Sequence, residues 1–445
     1  MDASAHFRGK KITLMRIGLL GRGVGDATYL AKCGAEVLVV DDAPQEVMQP
    51  SVDALAEFPN ITFKFGKYDV DDFRTCDMVL KGAGTPLDSP EIAEAKKNDI
   101  PVRMSADLFA ELADIPVIGV TGTRGKSTVT HMLVAILNAA GKNVLLGGNV
   151  RGVSTLALLE EVTPEHVAVL ELDSWQLQGF GEARISPHIA VFTTLYPDHT
   201  NYYKEHPETY LADKANIFLY QKPSDTLVLG KQCAAVIIEK YSEHIESKTF
   251  VADELKLPDT WILKIPGLHN RYNAALALAA ARALDIDDAV SREVLESFPG
   301  VPGRLELIAE KKGVKIYNDT TATTPEATLA ALKALVRPPD VGHNMSNIIL
   351  IMGGADKDLD MNALLYEIPN RVKRTILLSG TGTSRVLEFL PEASVFDDLA
   401  KAVREAIAAA ESGDIILFSP AFASFGMFKN EYDRGDQFNA LIQSL

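Results

Sequence analysis

Hydrophobic residues fall into short runs that alternate with stretches of helical periodicity along most of the chain. The runs rich in β-branched residues predict strands at 16–20, 36–40, 117–120, 167–172, 189–194, 226–229, 348–352, 375–378 and 415–418. The periodic stretches at 26–33 and 128–140 predict helices. Strands that alternate with helices are typical of parallel sheets covered by helices, so the pattern predicts an α/β protein.

Two proline-containing segments divide this pattern into three parts. Pro116 stands just ahead of a predicted strand, and the segment 298–303 holds two prolines and two glycines, which cannot continue a helix. The 445 residues also suit three domains at about 150 residues each. We therefore expect domains at 1–113, 114–299 and 300–445, the first and third Rossmann-like and the central one of the P-loop type with a parallel sheet.

Composition narrows the class of protein. The chain is 47% hydrophobic, and its 44 Lys and Arg against 60 Asp and Glu give a net charge of −16. That charge opposes binding to nucleic acid or to an anionic membrane. Three distant cysteines, no apolar run of 18 residues and no signal-peptide core at the start predict a cytoplasmic enzyme, expected as a monomer.

A first glycine-rich loop follows the first predicted strand. It contains Gly18, Gly21, Gly23 and Gly25, and Asp41 ends the next strand about 20 residues on. The spacing departs from G-x-G-x-x-G. A nucleotide-diphosphate site, a nicotinamide site and a tight turn without a ligand therefore remain open.

A second glycine loop, GVTGTRGKST at 119–128, lies between a predicted strand and a predicted helix. Its glycines allow the backbone to curl round phosphate oxygens, Lys126 can reach the β- and γ-phosphates, and Ser127 can ligate Mg²⁺. Val120 stands where the strict P-loop has glycine, so the loop is a variant. The segment predicted to bind ATP or GTP comprises Gly122, Thr123, Arg124, Gly125, Lys126, Ser127 and Thr128.

This loop resembles that of the Mur ligases, the ATP-dependent amide-forming enzymes of peptidoglycan precursor synthesis, and of their relative folylpolyglutamate synthetase. Further motifs occur in the order found in the Mur ligases, from end to end of the chain. They lie at 147–149, 170–177, 197–199, 266–273, 318–319 and 419–425. The tail 424–430, followed by Arg434 and Gly435, is most similar to the glutamate-adding member.

The resemblance implies a ligase that joins D-glutamate to UDP-N-acetylmuramoyl-L-alanine through an acyl phosphate, with one domain each for the UDP-sugar, ATP and the amino acid. An acceptor such as L-glutamate is an alternative. A non-catalytic nucleotide-binding protein is an alternative of another class, and an oxidoreductase built on the first glycine loop is a third.

The resemblance also implies a Mg²⁺ site made of Ser127, Glu171, His199 and Lys214. Glu171 closes one predicted strand and His199 follows another, and ligands gather where strands end at one edge of a parallel sheet. Lys214, taken alone, is predicted to be a solvated lysine on a helix. The family's lysine at this place is carbamylated, which would turn the cation into an anionic ligand. The implied catalytic set is Lys126, Glu171, His199 and Lys214.

The remaining implied contacts divide by ligand. ATP would also meet Asn273, Arg304 and Asp319. The UDP-sugar would meet Gly21, Asp41 and Asn149, and the amino acid would meet Thr323, Lys357 and Ser424. We expect closure of the domains to assemble these contacts.

Four positions depart from the family pattern. Arg124 replaces an asparagine and would add a cation beside the triphosphate, Thr321 replaces a lysine that helps to hold glutamate, and Glu431 replaces an aromatic residue. The segment 82–84 reads Gly-Ala-Gly in place of Ser-Pro-Gly. These changes leave the reaction type intact and bear on the identity of the acceptor.

Overall fold

The computed structural model describes residues 3–18, 21–198, 200–203, 207–335 and 346–444. They form an α/β protein with three sheets, which confirms the predicted fold class. Contacts group the chain into two compact units, Met1–Asp259 with Tyr272–Leu295 and Thr260–Arg271 with Glu296–Leu445. The boundaries 1–113, 114–299 and 300–445 stay a prediction.

The first sheet has five parallel strands in the order β3-β2-β1-β4-β5. The strands are β1 (Lys11–Met15), β2 (Glu36–Asp41), β3 (Ile61–Phe65), β4 (Met78–Lys81) and β5 (Val102–Arg103). The accompanying helices are α1 (Arg22–Lys32), α2 (Gln45–Ala54), α3 (Pro90–Lys97) and α4 (Ser105–Leu112).

The second sheet has six parallel strands in the order β11-β10-β9-β6-β8-β7. The strands are β6 (Val117–Thr121), β7 (Asn143–Gly148), β8 (His166–Glu171), β9 (Ile189–Phe192), β10 (Thr226–Gly230) and β11 (Lys248–Ala252). The helices of this region are α5 (Lys126–Ala139), α6 (Ser174–Ala183), α7 (Thr200–Tyr203), α8 (Pro207–Ala215), α9 (Lys231–Tyr241), α10 (Leu268–Arg282) and α11 (Asp288–Ser297).

The third sheet has the order β12-β13-β17-β14-β15-β16, and only the β12–β13 pair among its described strands is antiparallel. The strands are β12 (Glu306–Lys311), β13 (Val314–Asn318), β14 (Ile348–Gly353), β15 (Val372–Leu378), β16 (Ser394–Phe396) and β17 (Ile415–Phe418). The helices are α12 (Pro325–Leu335), α13 (Asn362–Arg371), α14 (Thr381–Val386), α15 (Leu399–Ala409) and α16 (Glu431–Gln443).

Strand alternation builds the cores on the two faces of the third sheet. Ile348, Leu350 and Met352 of β14 join one hydrophobic cluster, whereas Ile349 and Ile351 join the other. Successive side chains of a strand point to opposite faces, so a continuous hydrophobic run indicates a strand covered on both sides. In the first unit, a single cluster includes residues of both sheets.

The first predicted strand, at 16–20, is wrong. The strand is β1, at Lys11–Met15, which pairs with β2 and β4. Arg16 and Gly18 both have φ of 65°, a left-handed conformation that interrupts a strand, and Leu19 and Leu20 lie outside the described residues. The other eight predicted strands are confirmed within three residues at each end. No described helix is both long and apolar enough to cross a membrane.

Candidate active site

The phosphate loop connects β6 to α5 at the carboxyl edge of the second sheet. Gly122 has φ of 137°, and a Cβ there would lie 2.1 Å from the Thr193 Oγ1. Gly125 has φ of 88° and precedes the first residue of α5, and a Cβ there would lie 2.5 Å from the Asn273 Oδ1. Both positions therefore require glycine. Asn273 lies against the loop, where the sequence predicts a nucleotide contact.

Two threonines after β9 fix the shape of this loop. The Thr123 N–H donates to the Thr194 carbonyl at 2.7 Å, and the Arg124 N–H donates to the Thr194 hydroxyl at 2.9 Å. The Thr193 and Thr194 hydroxyls donate in turn to the Arg124 carbonyl at 2.5 and 3.1 Å. Sequence reasoning missed both threonines because it assigned them to the predicted strand 189–194.

Lys126 begins α5, two residues earlier than predicted. Its ammonium donates to the carbonyls of Gly122 at 3.0 Å and Thr123 at 3.3 Å. The side chain thus lies over the loop, and its cation is held at the N-terminal end of α5. The helix dipole and the cation both favour an anion at this place.

Lys214, on α8, is buried beneath the same loop with 1% of its surface exposed. Its ammonium donates to the Thr121 hydroxyl at 3.3 Å and to the Gly122 carbonyl at 3.2 Å. Burial, reinforced by the charge of Lys126, lowers the pKa of Lys214 to about 7. The prediction of a solvated helix lysine is therefore wrong, because α8 turns this side chain towards β6.

A buried polar chain next to Lys214 anchors α8 and was not foreseen. The Gln178 amide donates to the Asp213 carboxylate at 2.8 Å and accepts from the Lys81 ammonium at 3.3 Å. The Tyr203 hydroxyl donates to the same Asp213 oxygen at 2.9 Å. Burial raises the pKa of Asp213 and lowers that of Lys81 to about 8. The chain connects β4 of the first sheet to α6 and α8.

Glu171 ends β8, directly beside Val120 of β6 in the strand register. Its carboxylate is buried and receives no hydrogen bond or ion pair from any side chain in the described part of the protein. Its carbonyl accepts from the Asn149 N–H at 2.6 Å. Ser127 is buried in the first turn of α5, and His199 lies outside the described residues. A buried carboxylate without a donor, at the same sheet edge as the loop, suits a divalent cation.

The Arg124 guanidinium adds a positive charge to the loop, and it forms an ion pair with a carboxylate. The guanidinium donates to the Asp198 carboxylate at 3.0 Å and to the Thr123 carbonyl at 3.1 Å. Asp198 follows β9 by six residues, so this ion pair joins the phosphate loop to the segment after that strand.

Gly21 and Asp41 lie at the carboxyl edge of the first sheet. Gly21 has φ of 82° and immediately precedes α1. Asp41 is the last residue of β2, is buried, and accepts from the Ala43 N–H at 3.1 Å. Because β1 and β2 are neighbours, the structure places both residues at one edge, as the glycine loop predicts.

In the second unit, Asp319 follows β13 and is held from two sides. It accepts from the Ser419 hydroxyl at 2.7 Å and from the Leu305 N–H at 2.9 Å. Burial raises its pKa to about 7, against the opposing charge of Arg304. Arg304 is half-buried next to Leu305, so these two predicted ATP contacts lie close together.

Lys357 and Thr323, both predicted to meet the amino acid, are in contact. The Lys357 ammonium donates to the Thr323 hydroxyl at 3.2 Å. Ala355 and Ala423 form a two-residue bridge with hydrogen bonds of 3.0 and 3.1 Å, which places Ser424 beside the loop after β14. The structure thus brings all three loops together.

Two of the departures from the family pattern also lie here. The Thr321 hydroxyl donates to the Gly303 carbonyl at 2.9 Å and so supports a turn. Glu431 begins α16, and its carbonyl accepts from the Thr320 hydroxyl at 2.9 Å.

Family models match two segments of this chain. The Mur ligase middle domain matches residues 120–256, and the Mur ligase glutamate ligase domain matches residues 303–422. Both segments contain site residues described above.

Curated relatives match over nearly the full length. The UDP-N-acetylmuramoylalanine–D-glutamate ligase of Roseiflexus sp. is 36% identical and aligns over 98% of this chain and 99% of its own. The enzymes of the same name from Streptococcus agalactiae and Borreliella burgdorferi are 33% and 32% identical. Their alignments cover 100% and 97% of this chain, and 99% and 97% of their own chains.

Solved structures share the fold. UDP-N-acetylmuramate–alanine ligase from Thermotoga maritima has a TM-score of 0.61 at 18% identity, covering 98% of this chain and 99% of its own. MurF ligase from the same organism, in complex with ADP, has a TM-score of 0.59 at 17% identity, covering 99% and 97%. With more than 30% identity to full-length relatives and two matching family models, this chain belongs to the Mur ligase family.

Proposed function

We propose that the protein is an ATP-dependent ligase that joins D-glutamate to UDP-N-acetylmuramoyl-L-alanine in peptidoglycan precursor synthesis. The observation that carries this proposal is 36% identity over 98% of the chain to an enzyme named for that reaction. The phosphate loop supports this proposal, because its carbonyls accept hydrogen bonds from two lysines, Lys126 and Lys214.

The triphosphate of ATP is proposed to bind at residues 122–128, with Lys126 opposing its negative charge. Asn273, Arg304 and Asp319 are proposed as further ATP contacts. Gly21, Asp41 and Asn149 are proposed to bind the UDP-sugar, since a left-handed glycine at a helix N-terminus suits a diphosphate.

Ser127, Glu171, His199 and a carbamylated Lys214 are proposed to hold Mg²⁺. The buried Glu171 carboxylate, which has no hydrogen-bond donor among the described residues, fits this role. Bound there, Mg²⁺ would neutralise charge between phosphate oxygens.

The reaction is proposed to proceed in two steps. The substrate carboxylate attacks the γ-phosphorus, an O–P bond forms, and ADP leaves. The amine of the amino acid then attacks the acyl carbon, loses a proton, and phosphate leaves. Lys357 and Thr323 are proposed to orient the amino-acid carboxylate together with Ser424, since an ammonium beside a hydroxyl suits an anionic oxygen.

The experiment that tests this is phosphate release from ATP by the purified protein with UDP-N-acetylmuramoyl-L-alanine and a panel of D- and L-amino acids. We expect release to require both substrates and to be fastest with D-glutamate. Release with L-glutamate but not with D-glutamate would assign a different acceptor. No amino-acid-dependent release would favour the non-catalytic nucleotide-binding alternative. Because ATP is a substrate, the cytoplasm is the proposed location.

A further inference from the structure

Arg434 is a buried cation that the proposed chemistry does not use. Its side chain is 0% exposed, although it lies in the first turn of α16. Within the described residues, no carboxylate forms an ion pair with it. Burying a charge is unfavourable, so the hydrogen bonds of this guanidinium must replace its lost hydration.

Those hydrogen bonds join two loops. The guanidinium donates to the Thr320 carbonyl at 2.7 Å and to the Thr320 hydroxyl at 3.1 Å. Its third bond, at 3.2 Å, reaches the Phe422 carbonyl. The loop after β13 and the loop after β17 are thus held by one planar group, which presents its donors in a fixed fork.

Because Gly435 has no side chain, α16 can approach the loop after β13 closely enough for the Arg434 guanidinium to bind Thr320. A Cβ at Gly435 would lie 2.5 Å from the Thr320 Cγ2 and 3.4 Å from the Asn318 Nδ2. The Asn318 amide in turn donates to the Gly435 carbonyl at 3.3 Å and to the Asn439 side chain at 2.8 Å. α16 therefore packs directly on the start of the loop after β13.

The loop after β17 needs such support. Ala421 has φ of 62°, a left-handed conformation that is unfavourable for a residue with a Cβ. The next residue is Phe422, whose carbonyl accepts a hydrogen bond from Arg434. Ser424 follows Phe422 by two residues. Thr323 follows Thr320 by three residues in the other loop and contacts Lys357.

We propose that Arg434 is a positioning residue of the amino-acid subsite: its guanidinium sets the spacing between the loops that carry Thr323 and Ser424. The inference rests on the proposed function. Asp319 has its own anchors, Ser419 and Leu305, so the proposed ATP contact does not depend on Arg434.

The test is steady-state kinetics of Arg434→Lys, which keeps the charge but cannot reproduce the fork. We expect the KM for the amino acid to rise by about 10-fold or more, the effect of losing one hydrogen bond to a charged group, with the KM for ATP changed less than about 2-fold. Arg404→Lys, on the exposed face of α15, is the matched control and should leave both constants unchanged.

A second pair of variants tests the geometry without touching the arginine. Gly435→Ala should press on the Thr320 Cγ2 and raise the same KM, and adding Thr320→Ser, which keeps the hydroxyl but removes that methyl, should restore it. If Arg434→Lys does not fold, these two variants still test whether the spacing of the loops sets the KM for the amino acid.

Three outcomes would overturn the inference. They are an unchanged amino-acid KM in Arg434→Lys, an equal rise in both KM values, and an absence of rescue in the double variant. If the wild-type protein releases no phosphate with any amino acid, the proposed function falls and this inference with it. Normal wild-type release with an unaltered variant overturns the inference alone.

Discussion

At the scale of single residues, the phosphate loop depends on two lysines with opposite surroundings. Lys126 reaches the loop from the first turn of α5, whereas Lys214 reaches the same Gly122 carbonyl from a buried position on α8. Burial, and after it the repulsion from the Lys126 cation, lowers the pKa of Lys214. The first lysine is thus suited to hold an anion, and the second to react as a neutral amine.

Lys126→Ala should lower phosphate release by at least about 100-fold, because one charge-stabilising donor in an active site contributes about that much to rate. The measurement is kcat with saturating substrates. Lys142→Ala, which removes an exposed lysine just after α5, is the control and should retain activity. Activity retained by Lys126→Ala would show that this loop does not bind the reacting phosphates.

Lys214 should carry a carbamate when the protein is supplied with labelled bicarbonate. A pKa of about 7 leaves much of the amine neutral near neutral pH, and only the neutral amine can attack carbon dioxide, forming an N–C bond and losing a proton. Carbon-13 NMR should show a carbamate signal that Lys214→Ala removes and that Lys222→Ala, at an exposed position, keeps. A signal that persists in Lys214→Ala would contradict the assignment.

At the scale of elements, the predictions find most of the interior strands and none of the described edge strands, but they also miss the interior strands β4 and β13 and misplace β1. The central strands β6, β9 and β14 are buried at every position and were predicted. The edge strands β3, β11, β12 and β16 alternate or are largely exposed, and the sequence pattern gave no sign of them. An edge strand has fewer covered side chains, so its hydrophobic signal is weak.

Helix α1 depends on a buried carboxylate whose charge is unfavourable. Asp26 accepts from the hydroxyls of Ser154 at 2.6 Å and Ser105 at 2.8 Å, and burial raises its pKa from 3.8 to about 6. Because the folded pKa is the higher one, the folded protein binds the proton more tightly. Ionisation of Asp26 therefore lowers the free energy of unfolding. The full loss is present above about pH 6, and almost none of it is present below pH 4.

Asp26→Asn keeps an oxygen that can accept both hydroxyl bonds and removes the buried charge. We expect the free energy of unfolding to rise by about 2–3 kcal/mol at pH 8 and by about 1 kcal/mol at pH 4.5. Denaturant unfolding at the two pH values measures this. An asparagine variant that is less stable at both would show that the ionised carboxylate is needed.

At the scale of the whole molecule, the net charge of −16 opposes the anionic substrates proposed here, so local cations must attract them. Lys126 and Lys214 belong to the first compact unit, and Arg304 and Lys357 belong to the second. Each unit has its own hydrophobic clusters. Each also holds one of the two tryptophans, Trp175 in the first and Trp261 in the second.

Single-tryptophan variants should therefore report the unfolding of each unit separately. Leu350→Ala, at a fully buried position in β14, should destabilise the second unit by about 2–5 kcal/mol. Its midpoint in denaturant should fall when Trp261 is the probe, after Trp175→Phe, and change little when Trp175 is the probe, after Trp261→Phe.

Leu30→Ala, in the core of the first unit, is the matched control and should show the reverse pattern. If both probes shift together in both variants, the two units unfold as one cooperative block.

Features that depend on neighbours along the chain could be predicted from the amino-acid sequence. The strand–loop–helix order around the phosphate loop, the glycines of that loop and most of the interior strands follow from local residues. Tertiary structure alone decided that Lys214 is buried, that Thr193 and Thr194 hold the phosphate loop, and that Arg434 lies between two loops. Most of those contacts join residues 69 to 114 positions apart, as in the bonds from Thr193 to Arg124 and from Arg434 to Thr320, and no local pattern encodes which distant groups will meet.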